Sequence, residues 1–280
     1  MEIELAVDDG VATLTLAAPQ RRNALTPEMS RELVDALDRA DADTSIGALV
    51  IRGAGTTFCA GADTNTLSNT GSDPAEEHAY ADLSAIYSSF TRVGAVQAVT
   101  IAAVRGAAVG AGLNLALATD LRVIARDARL MSGFQRIGLH PGGGHFVLLS
   151  RLAGRETAAA MTLCGAEIDG NHAARLGLAW EAVDDDTVEA RAFALARIAA
   201  QDPELARATA HTFRIETGPP ELSWDTAVQT ERAPQMCPCA DDSHATTVTT
   251  RSHQATQSGN TARCCGPRTD AKRCYPTEEA

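Results

Sequence analysis

The chain has 280 residues, 45% of them hydrophobic, enough for a full-sized core arranged most simply as one layered domain. Its formal net charge of -12 excludes generic electrostatic attraction to nucleic acid or to an anionic membrane, so any phosphate-bearing ligand has to be held by local groups. No window approaches the ~18 continuous apolar residues of a spanning helix, and the acidic start Met1-Glu2-Ile3-Glu4 lacks the basic region of a secretory leader, so a soluble cytoplasmic protein is predicted.

Alternating Ile3, Leu5 and Val7, then Val11, Leu14 and Leu16, with Asp9-Gly10 between them, read as a hairpin. Thr26-Pro27-Glu28 opens a helix, with Thr26 as N-cap and Pro27 in the first position, that carries Met29, Leu33 and Leu37 on one face. The apolar run Ala48 to Ile51, bounded by Gly47 and Gly53, predicts a buried strand ending in a glycine turn. A polar stretch from Asn65 to Asp73 reads as a mobile loop of the kind that forms lids, followed by a helix around Ala81 to Val93. Val99 to Val104 is a second buried strand, turned by Gly106 to Gly112 into the helix Leu113 to Leu117, and Leu121 to Ile124 is a third strand. Strands separated by helices predict an α/β sheet with crossover connections. From Gly142 onward the pattern is helical, through His145 to Leu152, Thr157 to Leu163, Val188 to Ala200 and Glu204 to Ile215.

Beyond Gln235 the character changes to Cys237-Pro238-Cys239, a Thr/Ser/Gln stretch and Cys264-Cys265-Gly266-Pro267, with almost no aliphatic residues. Such a segment cannot pack as a core element, and Cys-x-Cys followed by adjacent cysteines is not an ordinary zinc spacing, even with His244 and His253 nearby. A disordered tail and a shifted reading frame both account for it, and the abruptness of the change favours the second. Cys59 and Cys164, the cysteines of the main body, read as isolated core thiols of a reducing compartment.

Two turns carry the chemistry: Phe58-Cys59-Ala60-Gly61-Ala62-Asp63 after the first buried strand and Gly106 to Gly112 after the second. Small side chains let a ligand approach the backbone, and free N–H groups at a helix start hold partial negative charge. Either turn alone is explained by tight helix–strand packing; two on neighbouring strands can aim two donors at one oxygen, as an oxyanion hole does. Gly110-Ala111-Gly112 is followed by Leu115 where a dinucleotide fingerprint needs glycine, and the chain has no phosphate-binding loop with Gly-Lys-Ser/Thr and no Gly-x-Ser-x-Gly elbow.

Together with these turns, Pro19 to Leu25, Ala103 to Gly112, Ala118-Thr119-Asp120-Leu121-Arg122 and Ile137 to Gly144 resemble, in order and spacing, the signature blocks of the enoyl-CoA hydratase/isomerase (crotonase) superfamily. The resemblance continues through Leu163-Cys164-Gly165 and Ala173 to Leu178 to about Met236. It implies a crotonase-like ββα spiral core (1–185) that binds acyl-CoA, a helical C-terminal trimerisation part (186–236) and an atypical tail (237–280). It further implies an acyl-CoA or enoyl-CoA substrate, with coenzyme A as part of the substrate and no separate cofactor or metal, and a homotrimer or hexamer built on the C-terminal helices. The oxyanion donors would be the backbone N–H groups of Ala62 and Ala111; Gly110 belongs to the second turn, Ala60, Gly61, Ala62 and Asp63 would line the adenine pocket, and Arg21 or Arg22 would meet CoA phosphate.

Counted from these blocks, the two hydratase glutamates fall on Asn114 and Phe134, neither of which is a carboxylate base. Asn114 could orient a water or satisfy a helix start, and Phe134 fits an apolar acyl pocket. His145, and less directly His140 and Asp63, are the remaining ionisable candidates, with a structural role for His145 in a first helical turn as the alternative. The sequence therefore predicts a CoA-thioester enzyme that stabilises an enolate, with isomerase, hydrolase and lyase reactions all open, and a non-catalytic acyl-CoA binder as the alternative.

Overall fold

The computed structural model describes residues 1–67, 77–217, 224–226, 228–229 and 232. The lid expected within 65–73 lies mostly outside these residues, as do the cysteine-rich tail and most of a last helix from Leu222.

A six-stranded sheet has the order β1-β2-β3-β4-β6-β9, formed by β1 (Ile3–Asp8), β2 (Val11–Leu16), β3 (Ala48–Gly53), β4 (Val99–Val104), β6 (Leu121–Ala125) and β9 (Glu181–Val183). The β1–β2 pair is an antiparallel hairpin whose turn residues Asp9 (φ 46) and Gly10 (φ 74) both take the left-handed backbone that suits a two-residue connection. All other pairs of this sheet are parallel. Ala48, Leu49, Val50 and Ile51 of β3 are completely buried, as expected for a parallel strand covered on both faces.

Between β2 and β3 runs α1 (Pro27–Ala42), whose N-cap Thr26 accepts a hydrogen bond from Met29 N at 3.1 Å and whose buried face is Met29, Leu33, Ala36, Leu37 and Ala40. α2 (Glu77–Ala95) packs beside α1 and precedes β4. α6 (Val188–Ala200), assigned by sequence to the C-terminal part, lies across β3, β4 and β6 and adds Val188, Ala192 and Ala196 to the same core. α7 (Pro203–Thr217) is fastened by two arginines to α1 and to the loops at the edge of the sheet. Arg207 donates to Asp41 O (2.7 Å) and Ile46 O (3.3 Å), while Arg214 reaches Asp120, Val96 O and Ala98 O. Asp120 also accepts from Thr100 N at 2.8 Å, so it ties β4 to α7.

Three sequence expectations need correction. The stretch Gly106 to Gly112 is not one turn: Ala107–Val109 form β5, which pairs in parallel with β7 (Arg129–Met131), and β7 pairs antiparallel with β8 (Glu167–Asp169) as a second small sheet. Strands of three residues are too short for period-2 patterning to be visible. The chain after Gly142 is not uniformly helical, because β8, α5 (Gly170–Arg175) and β9 return it to the sheets; the two helices predicted over 145–163 are α4 (His145–Leu163), broken at Gly154 (φ 78, ψ 167). Cys164 is exposed, so among the described residues only Cys59 is a core thiol.

Candidate active site

The two glycine turns are zipped together by backbone hydrogen bonds. Cys59 N donates to Ala107 O (3.1 Å), Val109 N to Cys59 O (3.1 Å) and Phe58 N to Arg105 O (2.8 Å). Close approach is possible because Gly61 and Gly112, which face the other turn, lack side chains. A Cβ on Gly61 (φ 104) would stand 2.9 Å from Val109 O and 3.9 Å from Ala111 N, which puts the first turn directly against the start of α3 (Ala111–Leu117). Among the described residues, neither Ala62 N nor Ala111 N has a hydrogen-bond acceptor, and both residues border the same cavity. Free N–H groups on a cavity wall can hold partial negative charge.

Asn23 supports this geometry, and nothing in its sequence context marked it for that role. Completely buried and in a left-handed conformation (φ 56), it accepts from Ala18 N (3.0 Å) and donates to Thr57 O (2.7 Å) and Ala54 O (3.0 Å). It thereby fixes the entry to the first turn. At its exit, Asp63 Oδ2 accepts from Asn65 N (3.0 Å) and Thr66 N (3.2 Å), capping the helical turn 64–67. Burial pushes the Cys59 thiol up to about 12, so it is an inert packing group behind the donors.

The cavity has a volume of about 130 Å³ and is walled by Leu83, Ile86, Tyr87 and Phe90 of α2 on one side and Ser132, Phe134 and Ile137 on the other. Ala60, Gly61, Gly110 and Asn114 also border it, and no Asp, Glu, Lys, Arg or His among the described residues does. Phe134 is buried and meets His145 edge-on, with ring centroids 5.0 Å apart.

Asn114 and His145, which the sequence left as separate candidates, are in direct contact behind this wall. The Asn114 Nδ2 donates to Gly142 O (3.2 Å), so its Oδ1 faces His145 Nδ1 at 2.7 Å and accepts that ring proton. The other ring nitrogen, Nε2, lies 2.7 Å from Ser132 Oγ. Burial drives His145 down to about 3, so the imidazole is neutral and Nε2 accepts the Ser132 hydroxyl proton. Asn114, Ser132 and His145 are all buried, His145 completely. Ser132 was absent from the sequence reading, because Met131-Ser132-Gly133 looks like any strand end.

The other predicted residues stand apart from this cluster. Arg21 is clamped by the Glu2 carboxylate, donates to Ala24 O at 2.9 Å, and has its charge balanced there. Arg22 is exposed, and its side chain makes no hydrogen bond or ion pair with the described residues. His140 is exposed, with its Nδ1 2.6 Å from Pro141 O. No cluster of three metal-ligating side chains occurs among the described residues, and no described helix is long and apolar enough to cross a membrane.

Comparison with known proteins agrees with this architecture. The Enoyl-CoA hydratase/isomerase family model matches residues 6–229. A probable enoyl-CoA hydratase of Mycobacterium tuberculosis, EchA14, is 44% identical over 218 residues, covering 78% of this chain and 83% of the relative. The 1,2-epoxyphenylacetyl-CoA isomerase of Escherichia coli is 36% identical over 198 residues, 70% of this chain and 75% of its own length. Among solved structures, Pseudomonas aeruginosa OdaA superposes with a TM-score of 0.76 at 27% identity, over 89% of this chain and 99% of its own. By sequence and by fold, the chain belongs to the enoyl-CoA hydratase/isomerase family.

Proposed function

We propose that the protein acts on an acyl-CoA thioester whose carbonyl oxygen sits between the N–H groups of Ala62 and Ala111, with coenzyme A entering as part of the substrate and no separate cofactor. The observation that carries this reading is the pair of acceptor-free backbone donors on one cavity wall, zipped into place by the Cys59 and Val109 ladder. The activities for which two relatives are named, enoyl-CoA hydratase and 1,2-epoxyphenylacetyl-CoA isomerase, both take CoA thioesters. Two features argue against simple hydration: Asn114 and Phe134 occupy the positions where the family resemblance expects glutamates, and the described lining holds no carboxylate. That same absence favours a second reading, a non-catalytic acyl-CoA binder.

Arg22, on the exposed lip that receives Ala60 N, is better placed for a CoA phosphate than Arg21, whose charge Glu2 already balances. The apolar groove between α6 and α7 supports a homotrimer or hexamer. It encloses about 510 Å³ and is lined by Ile198, Leu205 and Phe213, each more than half exposed in the single chain.

Titration with butyryl-CoA tests the site. The wild type binds; Ala62→Pro and Ala111→Pro, each lacking one N–H, weaken binding or turnover, with about 2.7–4 kcal/mol lost per donor if the oxygen becomes an anion. Pro is well tolerated at the first helical position, so Ala111→Pro folds, and unchanged behaviour in both variants overturns the proposal.

A further inference from the structure

Among the described lining residues, Ser132 carries a hydroxyl that is paired with a histidine nitrogen. Ser132 Oγ borders the cavity and donates to His145 Nε2 at 2.7 Å, and His145 Nδ1 donates to Asn114 Oδ1 at 2.7 Å. This is the order nucleophile, base, orienter, with the orienter itself fixed by the Gly142 carbonyl. The Ser132 backbone also adjoins the donor turn. Gly110 N donates to Met131 O at 3.0 Å, and a Cβ on Gly110 would lie 3.3 Å from Ser132 O, so Ser132 and the Ala111 N–H border one space from adjoining backbone segments. Thr162 Oγ1, 3.4 Å from Ser132 Oγ, is the hydroxyl's other neighbour. Cys59, the other nucleophilic side chain nearby, is excluded by its buried, protonated thiol.

We infer that Ser132 is an acyl-accepting nucleophile and that the protein is a thioester hydrolase working through an acyl-Ser132 intermediate, a reaction that rests on the oxyanion site proposed above. In the first half, the Ser132 Oγ–C bond forms at the thioester carbonyl, the Oγ proton moves to His145 Nε2, and the negative charge falls on the oxygen between Ala62 and Ala111. The C–S bond then breaks, and the proton on Nε2 goes to the CoA sulfur. In the second half, water adds to the ester carbonyl and gives a proton to Nε2; the C–Oγ bond breaks, Ser132 recovers that proton, and the carboxylic acid leaves. Water is the only co-reactant. His145 is buried behind Ser132 rather than on the cavity lining, so its Nε2 exchanges protons with the CoA sulfur and the water past the Ser132 side chain, and Asn114 holds its tautomer. The cavity volume, about 130 Å³, is close to the roughly 150 Å³ that encloses a benzene, so the acyl group is short or carries a single ring.

The test uses the full chain with butyryl-CoA and phenylacetyl-CoA, measuring thioester binding by calorimetry, CoA release with a thiol reagent, and the mass of acid-quenched protein with the modified peptide located. The wild type binds, releases CoA and carries the acyl mass on Ser132. Ser132→Ala binds with comparable affinity, releases CoA about 10²–10⁴-fold more slowly and carries no adduct. Binding by the wild type with no CoA release and no adduct, or release by Ser132→Ala at the wild-type rate, overturns the serine assignment and leaves the thioester site standing. Absence of binding by the wild type removes the thioester site and this inference with it. If Ser132→Ala does not fold, the location of the adduct in the wild type decides alone.

Discussion

Gly112 lies so close to Cys59 that a Cβ built on it would stand 2.3 Å from the Cys59 carbonyl oxygen and 2.8 Å from its sulfur. The same carbonyl accepts the Val109 N–H, so it cannot retreat without loosening the bond that joins the two donor turns. Gly112→Ala therefore forces the turns apart. The expected outcome is a loss of about 1–3 kcal/mol or more in urea unfolding, with weakened butyryl-CoA binding in whatever folded protein remains. Wild-type stability and affinity in this variant would show that the turns are not held in register by this contact.

Hydration of crotonyl-CoA is expected to be slow. A positioned acid or base is worth about 10²–10⁴-fold, and here Asn114 is committed to Gly142 and His145 while Phe134 is a hydrocarbon. The loss of the enoyl-thioester absorbance, followed beside a two-glutamate relative, should be at least about 10²-fold slower. A comparable rate would refute this expectation and point to His145 or to a residue of the 65–73 stretch as the water-activating group.

His145 makes the fold acid-sensitive. Its folded pKa, about 3, lies below the ordinary 6.5, because burial penalises the imidazolium and its partners Asn114 and Ser132 are neutral. The stabilisation is therefore fully present above the unfolded value and is lost as pH falls from 6.5 towards 3, at up to about 1.4 kcal/mol per pH unit. Urea midpoints measured between pH 7 and pH 4 should fall more steeply for the wild type than for His145→Gln. Parallel curves would place the sensitivity on other groups.

In solution the chain is expected to scatter light as a trimer or hexamer. Leu205 and Phe213, both more than half exposed beside the α6–α7 groove, are the positions to charge. Leu205→Glu with Phe213→Glu should shift the mass to that of one chain and leave the far-ultraviolet dichroism unchanged, whereas removal of the residues after Met236 should leave the assembly intact. A monomeric wild type defeats the assembly proposal.

Where side chains repeat over a full strand or helix, the sequence was sufficient. The Thr26 cap, the Met29-Leu33-Leu37 face, the fully buried Ala48 to Ile51 run and Val99 to Val104 all stand where periodicity put them. The three-residue strands β5, β7 and β8 were invisible for lack of repeats, and they are the elements that align the second donor turn. The site was legible in part. Glycine spacing located both turns, but the contacts of Asn114, Ser132 and His145 join residues 13 to 31 positions apart and carry no local signal. Asn23 was equally silent, since a buried asparagine that bonds carbonyls some 30 residues away looks like any loop asparagine.

The parallel register of β5 on β7, Val109 opposite Met131, continues through the Gly110 N to Met131 O bond, so the segment that presents Ala111 and the segment that presents Ser132 and Phe134 are rungs of one ladder. Remodelling the cavity wall at 132–134 therefore moves the Ala111 donor as well, and on the proposed thioester reading selectivity and rate become a single coupled trait on that side. The opposite wall, Leu83, Ile86 and Phe90 on α2, meets the donors only through side-chain packing. Substitutions that broaden or narrow the range of acyl groups without loss of turnover should accumulate on α2, which makes that helix the place to begin directed diversification of this enzyme.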